Sequence, residues 1–551
     1  MERRVILAIV LMIGIAVAPS LLWPPKPTVG RTGGQADSSA SIVAAPGNTP
    51  ESTTARPADR STAPTAAVPA ETVWVTSDQY RLGFSTRGGA LVSAQLTSYK
   101  SFAPGDSAHA VQLVPDGRPL LAQRLAITGD TLTFADLTFT PSAPSVRVGT
   151  GPTTLTLAAE RPGATVTLTY RFTPGDYAFS VAGQVTGLGP QGAVLVVGMG
   201  DGLRSVEADS NDDYRHYAVV TKASKTESKA FASLKPGETS VLDGPFEWAG
   251  LKTKYFLVAA LAIGENQQPF GGAIATGGPR SGKMASRAAL ALTLPVPGSG
   301  EFRYDVYAGP LEYRRLAAIG HDLDDANPYG GIFRPIVKPV AELVVNILLW
   351  LHGRLHISYG WTLVLFGVLV RVLLWPLNQK AMESSMRMQA VAPLLKEVQT
   401  RHKNDPEKLQ KETMRLYKEH QVNPFGGCLP MLIPMPVLVA LFYVFANTIE
   451  FRGVPFLWLP DLSRADPYFI IPVLMGVSMF ALSKIGQLGM PPNPQAKTML
   501  YIMPAFMTFL FLRFSSGLNV YYAVSNLFSL PQQWLIAQRR LRKQGQRPPG
   551  S

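Results

Sequence analysis

WTLVLFGVLVRVLLWPLNQKAMESSMRMQAVAPLLKEV, residues 361–398, decides how this chain is read. Its first half is apolar enough to lie in a membrane, yet Arg371 sits inside it, four residues before Trp375 and five before Pro376. An arginine near the centre of a membrane helix costs on the order of 2.5 to 3.5 kcal/mol on insertion scales, so such residues usually face a protein interior or a water-filled cavity. The plainer alternative is a side chain that snorkels to the cytoplasmic headgroups from one turn inside the span. The residues by themselves leave these two readings even.

The charge balance places that stretch in a membrane context. The chain has 551 residues, 46% hydrophobic and 16% charged, where a soluble domain carries about a quarter charged. Its net charge of +13 is confined to one region. Residues 1–327 hold 28 basic and 28 acidic side chains, whereas 328–551 hold 23 against 10 and also contain the longest apolar runs. Basic charge flanking apolar spans is the pattern of the positive-inside bias. A nucleic-acid binder would instead need a basic surface on a soluble domain. The single cysteine, Cys428, excludes an intrachain disulfide scaffold.

Outward from 361–398, five candidate spans appear at 357–375, 428–449, 468–482, 499–512 and 518–536. The third and fourth have only 15 and 14 uncharged residues, short of the ~20 needed to cross a bilayer. Flanking lysines must snorkel there or the bilayer must thin, which lowers the cost of drawing a polar segment inward. Before these spans, 332–351 is apolar but carries Arg334, Lys338 and Glu342, as a helix lying in the interface does. At the start of the chain, 5–23 is a 19-residue uncharged run behind a basic tetrapeptide. Ala16-Val17-Ala18 resembles a signal-peptidase site, but Pro19 directly after it and the continuing apolar run favour an uncleaved anchor.

Residues 24–70 are rich in Pro, Ala, Ser, Thr and Gly and read as a flexible linker. From 71 to about 310 the pattern is period-two alternation, as in Val166, Leu168, Tyr170 and Phe172, broken by turns such as Pro174-Gly175-Asp176. That predicts one large antiparallel β-sandwich. Counting six crossings from a basic N-terminus inside puts this domain outside and both termini in the cytoplasm. The inner loop 376–427 then has nine Lys/Arg, and the tail after Ile536 has five, against two in the outer loop 450–467.

Within the inner loop, 378–421 reads as a helical hairpin. Asn404-Asp405-Pro406 supplies a turn, an N-cap and an N1 proline, and Glu407 with Lys411 and Arg415 with Glu419 stand at i,i+4. Such a hairpin, with Glu397 at its first helix, is a docking surface or simply a solvated structure. The tail carrying Arg539, Arg540, Arg542 and Lys543 suits anionic lipid or ribosomal RNA, or is a topology determinant. No P-loop, GxSxG, HExxH or CxxC occurs, so neither covalent chemistry, a cofactor nor a metal is expected.

VRVLLWPLNQKAMESSMRMQAVAPLLKEV (370–398), LYKEHQVNPFGGCLPMLIPMPVLVALFYV (416–444), PFLWLPDLSRADPYFIIPVLMGVSMF (455–480) and SGLNVYYAVSNLFSLPQQ (516–533) together resemble the YidC/Oxa/Alb family of membrane protein insertases, in its Gram-negative form. The resemblance implies a membrane protein of six transmembrane helices with a five-helix insertase core, a large periplasmic β-supersandwich similar to sugar-mutarotase folds, and a cytoplasmic helical hairpin. It implies an anchor over 1–23, a linker over 24–70, the β-domain over 71–328, an interfacial helix over 329–353, the core over 354–536 and a basic tail over 537–551. The expected function is insertion of nascent membrane proteins through a hydrophilic groove centred on Arg371, alone or with the Sec translocon, with the ribosome and membrane lipids as further partners. Tyr522 matches a substrate-facing position of that groove, with Tyr521 beside it. Gly367 stands where the family often has a hydroxyl residue, Pro434 where it often has Gln and Ser515 where it commonly has Pro, so the second-helix and third-helix walls, at Gly367 and Pro434, are expected to be less polar.

Two other classes fit parts of the chain. An intramembrane charge in a bundle suits a small-solute transporter or channel, though the spans contain one basic residue and no acidic or histidine relay. The β-domain alone suits a carbohydrate enzyme or binding module.

Overall fold

The computed structural model describes residues 70–543 except 108, 189–190, 266, 283, 328, 330–332, 404, 421–434 and 490–493. The anchor read over 1–23, the linker but for Ala70, Cys428 and Pro434 lie outside the described residues.

The alternating segment folds as sheets of five, nine and six strands, with a two-stranded ribbon beside them. Strand Ala164–Phe172 pairs antiparallel with Ala178–Val185, closing on Phe172 opposite Phe179. Gly175, in the turn between them, takes φ 78°, a left-handed conformation that costs glycine little. The inward residues of these strands meet those of Tyr80–Ser85, and Phe84 lies 4.5 Å from the ring of Tyr170. The Gly88-Gly89 pair makes a tight turn against this core. The Tyr170 hydroxyl donates to the Gly89 carbonyl at 2.8 Å, and a Cβ on Gly89 would stand 2.7 Å from Leu168. Two short helices belong to this domain, α1 (Ser210–Tyr214) and α2 (Tyr313–Ile319).

The helical part begins with α3 (Arg334–Leu355). Its buried residues Val337, Ala341, Val344, Val345 and Leu348 recur at helical spacing and pack on α6 (Met435–Asn447), where Ala440, Leu441, Val444 and Phe445 are fully buried. The charges at the start of α3 have protein partners. Lys338 lies 2.6 Å from Asp325, a buried residue in the last turn of the β-domain, and Arg334 contacts the same carboxylate. These charges therefore fasten α3 to the β-domain's final turn, a use that spacing alone did not reveal.

One helix differs plainly from expectation. The span around Arg371 and the first half of the hairpin are a single helix, α4 (Tyr359–Arg401), 43 residues long. Pro376 does not end it. A proline removes one donor and frees one carbonyl, here that of Val372, and long membrane helices tolerate this where neighbouring groups compensate. After the turn, α5 (Pro406–Glu419) starts at Asp405, whose carboxylate accepts from the Lys408 N–H at 3.0 Å. The core closes with α7 (Ile470–Gly486), α8 (Pro494–Phe511) and α9 (Ser516–Lys543). Helix α9 continues straight through the start of the basic tail. Among the described residues, Arg334–Leu355 and Tyr359–Lys380 are long and apolar enough to cross a membrane, while Pro436–Asn447, Ile470–Gly486 and Leu500–Phe511 are shorter apolar helices.

Candidate substrate groove

The loop between α6 and α7 is built by its acids. Asp461 accepts from the Ser463 N–H and hydroxyl, and Asp466 accepts from the Tyr468 and Ile471 N–H groups, capping the start of α7. The N-terminus of α9 docks on this loop, with the Gly517 N–H donating to the Leu462 carbonyl at 2.9 Å and the Ser516 hydroxyl to the Asp461 carbonyl at 3.1 Å. Buried Phe445, Phe451, Phe456, Leu459 and Leu462 close this end of the bundle. Gly360 is required there, since a Cβ on it would lie 2.0 Å from the Phe456 ring. The motifs DLSRADPY and SGLNVYY thus pack together at one end of the bundle, on the side from which Arg452 reaches the β-domain.

Farther along, α4 and α9 run side by side in the same direction. At Gly367 a Cβ would sit 3.3 Å from Val524 Cγ1 and 3.5 Å from the Tyr521 ring, and eight residues later on both helices Gln532 Nε2 donates to the Trp375 carbonyl at 3.3 Å. Gly367 therefore faces α9 closely rather than open space, and its missing side chain permits the approach. Arg371 lies between these two contact levels, half-buried, with its Nε buried and without a partner among the described residues. Tyr521 is within electrostatic reach of the Arg371 guanidinium, and its ring is 5.9 Å from Phe366. Tyr522 turns the other way, its ring 5.2 Å from Phe511 on α8. Of the expected groove residues, Arg371, Gly367 and Tyr521 meet at the α4–α9 seam, while Tyr522 borders the α8 wall.

Several polar residues of this region escaped the sequence reading. Asn526 Nδ2 donates to the Ser478 hydroxyl at 3.2 Å and ties α9 to α7. Asn378 on α4 and Gln532 on α9 are buried, Gln532 against the Trp375 carbonyl, and Asn519 is fully buried near the start of α9. The available signal was their spacing: Asn378 follows Arg371 by seven residues, and Ser525, Ser529 and Gln532 follow Tyr521 at helical intervals.

In the hairpin, Glu397 pairs with Arg401 and Arg415 with Glu419, each at 2.8 Å and exposed. Lys411 forms no ion pair with Glu407 among the described residues. The basic tail divides. Arg540 donates to the Gly486 and Leu488 carbonyls at 2.8 and 3.0 Å, satisfying the end of α7, while Arg539 and Arg542 are exposed. Lys543 ends α9, and its side chain lies outside the described residues. The described residues bring together no group of His, Cys, Asp and Glu able to hold a metal ion.

Known proteins carry the same two parts. The family profile "60Kd inner membrane protein" matches residues 350–544 and the profile "YidC periplasmic domain" matches 72–343. A membrane protein insertase YidC of Anaeromyxobacter dehalogenans is 32% identical over 549 residues, covering 97% of each chain. Another from an Anaeromyxobacter species (strain Fw109-5) is 35% identical over 381 residues, covering 68% of this chain and 67% of that one. A crystal structure of an active YidC insertase with its first transmembrane domain resolved is 19% identical and covers 85% of this chain and 95% of its own, with a TM-score of 0.33.

Proposed function

Because this chain belongs to the YidC family of membrane protein insertases, we propose that it inserts its clients at the α4–α9 seam, with Arg371 as the attracting charge. It is a membrane protein with a periplasmic β-rich domain, and its activity is the insertion of nascent membrane proteins, without being an enzyme. The reading of the seam rests on one observation: a guanidinium in the otherwise apolar first half of α4, within electrostatic reach of Tyr521 on α9, whose buried Nε has no partner among the described residues.

A nascent apolar helix with a short polar outer segment reaches the cytoplasmic hairpin. Its polar part enters the seam, where water and Arg371 reduce the desolvation penalty, while the apolar part passes into lipid. Arginine keeps its charge even in poorly hydrated sites, so the attraction is strongest for acidic outer segments. Six crossings with both termini cytoplasmic belong to this reading. Arg452 of the loop after α6 binds Glu207 of the β-domain, which supports placing that loop in the periplasm. The two short helices α7 and α8, of 17 and 18 residues, span roughly 26 Å at ~1.5 Å per residue, which supports a locally thinned bilayer. The Sec translocon, the ribosome at the hairpin and exposed tail arginines, and anionic lipid complete the partners.

The test compares Arg371→Ala with Arg371→Lys in insertion of a single-span substrate bearing an acidic outer tail. Loss in the Ala form with partial rescue by Lys is expected. Full activity of the Ala form removes Arg371 from this role.

A further inference from the structure

Beyond Arg371 along the paired helices α4 and α9 stand two buried side chains, Asn378 on α4 and Gln532 on α9, whose hydrogen-bonding capacity is only partly used. Asn378 is 7% exposed and Gln532 is 4% exposed. Among the described residues, the Nδ2 of Asn378 has no hydrogen-bond partner, and neither has the Oε1 of Gln532. Leaving a buried donor or acceptor unmatched costs about 1 to 3 kcal/mol, more than a hydrogen bond usually returns, so each such group calls for an explanation.

Their placement supplies one. Asn378 stands seven residues after Arg371 and therefore on the same face of α4, about 10 Å farther from the β-domain at ~1.5 Å per residue. Gln532 is anchored by its Nε2 to the Trp375 carbonyl, one turn before Asn378, which fixes its amide beside α4. The two unmatched atoms are one donor and one acceptor, both neutral, on facing helices of one seam. An extended polypeptide main chain offers the complementary pair, a carbonyl and an N–H, and in a membrane those groups are unpaired until the segment becomes helical or reaches water.

We propose that Asn378 and Gln532 form a second polar station on the cytoplasmic side of Arg371 that holds the peptide main chain of the inserting segment. Asn378 Nδ2 donates to a substrate carbonyl, and Gln532 Oε1 accepts from a substrate N–H. This deepens the reading of the seam as the insertion site and rests on it. It differs in one respect: the station is uncharged and binds main chain, so it serves acidic and neutral outer segments alike, whereas Arg371 favours acidic ones.

The test uses the full-length protein with two single-span substrates whose outer tails are equal in length, one acidic and one neutral. Asn378→Leu and Gln532→Leu are expected to lower insertion of both substrates about three- to tenfold, the span of one or two lost hydrogen bonds. Asn378→Gln and Gln532→Asn, which keep the amide, recover most of it. A photocrosslinker carried in the substrate's polar segment, used with the unaltered insertase, is expected to label residues 375–380 and 529–533. Wild-type insertion by both Leu variants, or absence of label from those segments, overturns the station. If Arg371→Ala is still defective on the acidic substrate in that case, the groove reading survives without it; if Arg371→Ala is also unimpaired, both fall. Should the Leu variants fail to accumulate, the crosslinking of the unaltered protein decides.

Discussion

Arg452, in the loop between α6 and α7, lies 2.7 Å from Glu207 of the β-domain with only 2% of its side chain exposed. The guanidinium also donates to the Lys100 carbonyl at 2.9 Å and covers the Phe102 ring at 4.3 Å. Gly453 beside it admits that ring, since a Cβ there would stand 2.6 Å from Phe102. One side chain of the helical core is thus enclosed by the β-domain.

Arg452→Ala should therefore destabilise the protein by about 1 to 3 kcal/mol, because it removes the charged hydrogen bonds to Glu207 and the Lys100 carbonyl and the cover over Phe102, while Glu207 takes up a proton. Thermal unfolding of the detergent-solubilised protein measures the loss. A change near zero would mean that the β-domain is held by other contacts.

Two carboxyls at this junction give stability a pH dependence. Burial, outweighing the attraction of Arg452, pushes Glu207 up to about 7, and burial likewise pushes Glu450 up to about 7. A carboxyl raised in the folded state keeps its proton longer there, so its favourable contribution is complete below about 4.5 and is lost as pH rises to about 7. From about pH 6 to about pH 8 the protein should lose on the order of 1 kcal/mol per carboxyl, and Glu207→Gln should flatten the decline. Half-buried His216, pushed down to about 4 by desolvation, acts in the opposite direction only at lower pH, as pH falls below about 6.5. A melting temperature that rises between pH 6 and 8 would contradict the assignment.

Helices α7 and α8 meet through a glycine. A Cβ on Gly476 would lie 1.9 Å from the Thr508 hydroxyl, which itself donates to the Pro504 carbonyl at 2.8 Å. Gly476→Ala must move Thr508 or part the helices, at a cost of about 1 to 3 kcal/mol. Proteolytic susceptibility in detergent reads this, and pairing it with Thr508→Ala, which makes room, should restore resistance.

The hairpin's second helix depends on its cap. Asp405→Ala removes the acceptor for the Lys408 N–H and should loosen α5 by about 1 kcal/mol. Faster amide exchange over the first turn of α5, with exchange in the β-domain unchanged, is the expected outcome. Deletion of 397–421 should go further and impair insertion while the β-domain stays folded.

Much of this is legible in the residues alone. The period-two alternation marked the strands because each pleat sends its neighbours to opposite faces, and Asp405-Pro406 marked a helix start through local chemistry. The continuity of α4 through Pro376 was not legible, because proline propensity is local and compensation by neighbouring helices is not. The partners of Arg334 and Lys338 were hidden for the same reason: Asp325 is near in space through a turn whose course spacing does not give. At the candidate groove Arg371 stood out as a lone charge, whereas Asn378 and Gln532 resembled ordinary polar residues until their burial was known.

The buried apolar cluster of Phe451, Phe456, Leu459 and Leu462 has an electrical consequence on the proposed reading, in which it closes the outer end of the groove. If water reaches Arg371 from the cytoplasm, the conducting inner phase extends to that depth, and nearly the whole transmembrane voltage falls across the thin layer beyond it. With the cell interior negative, an anionic tail crossing that layer gains about 2.3 kcal/mol per charge for each ~100 mV. A stopper at one end would then concentrate the energised membrane's pull on the last few ångströms of the journey, with no nucleotide consumed.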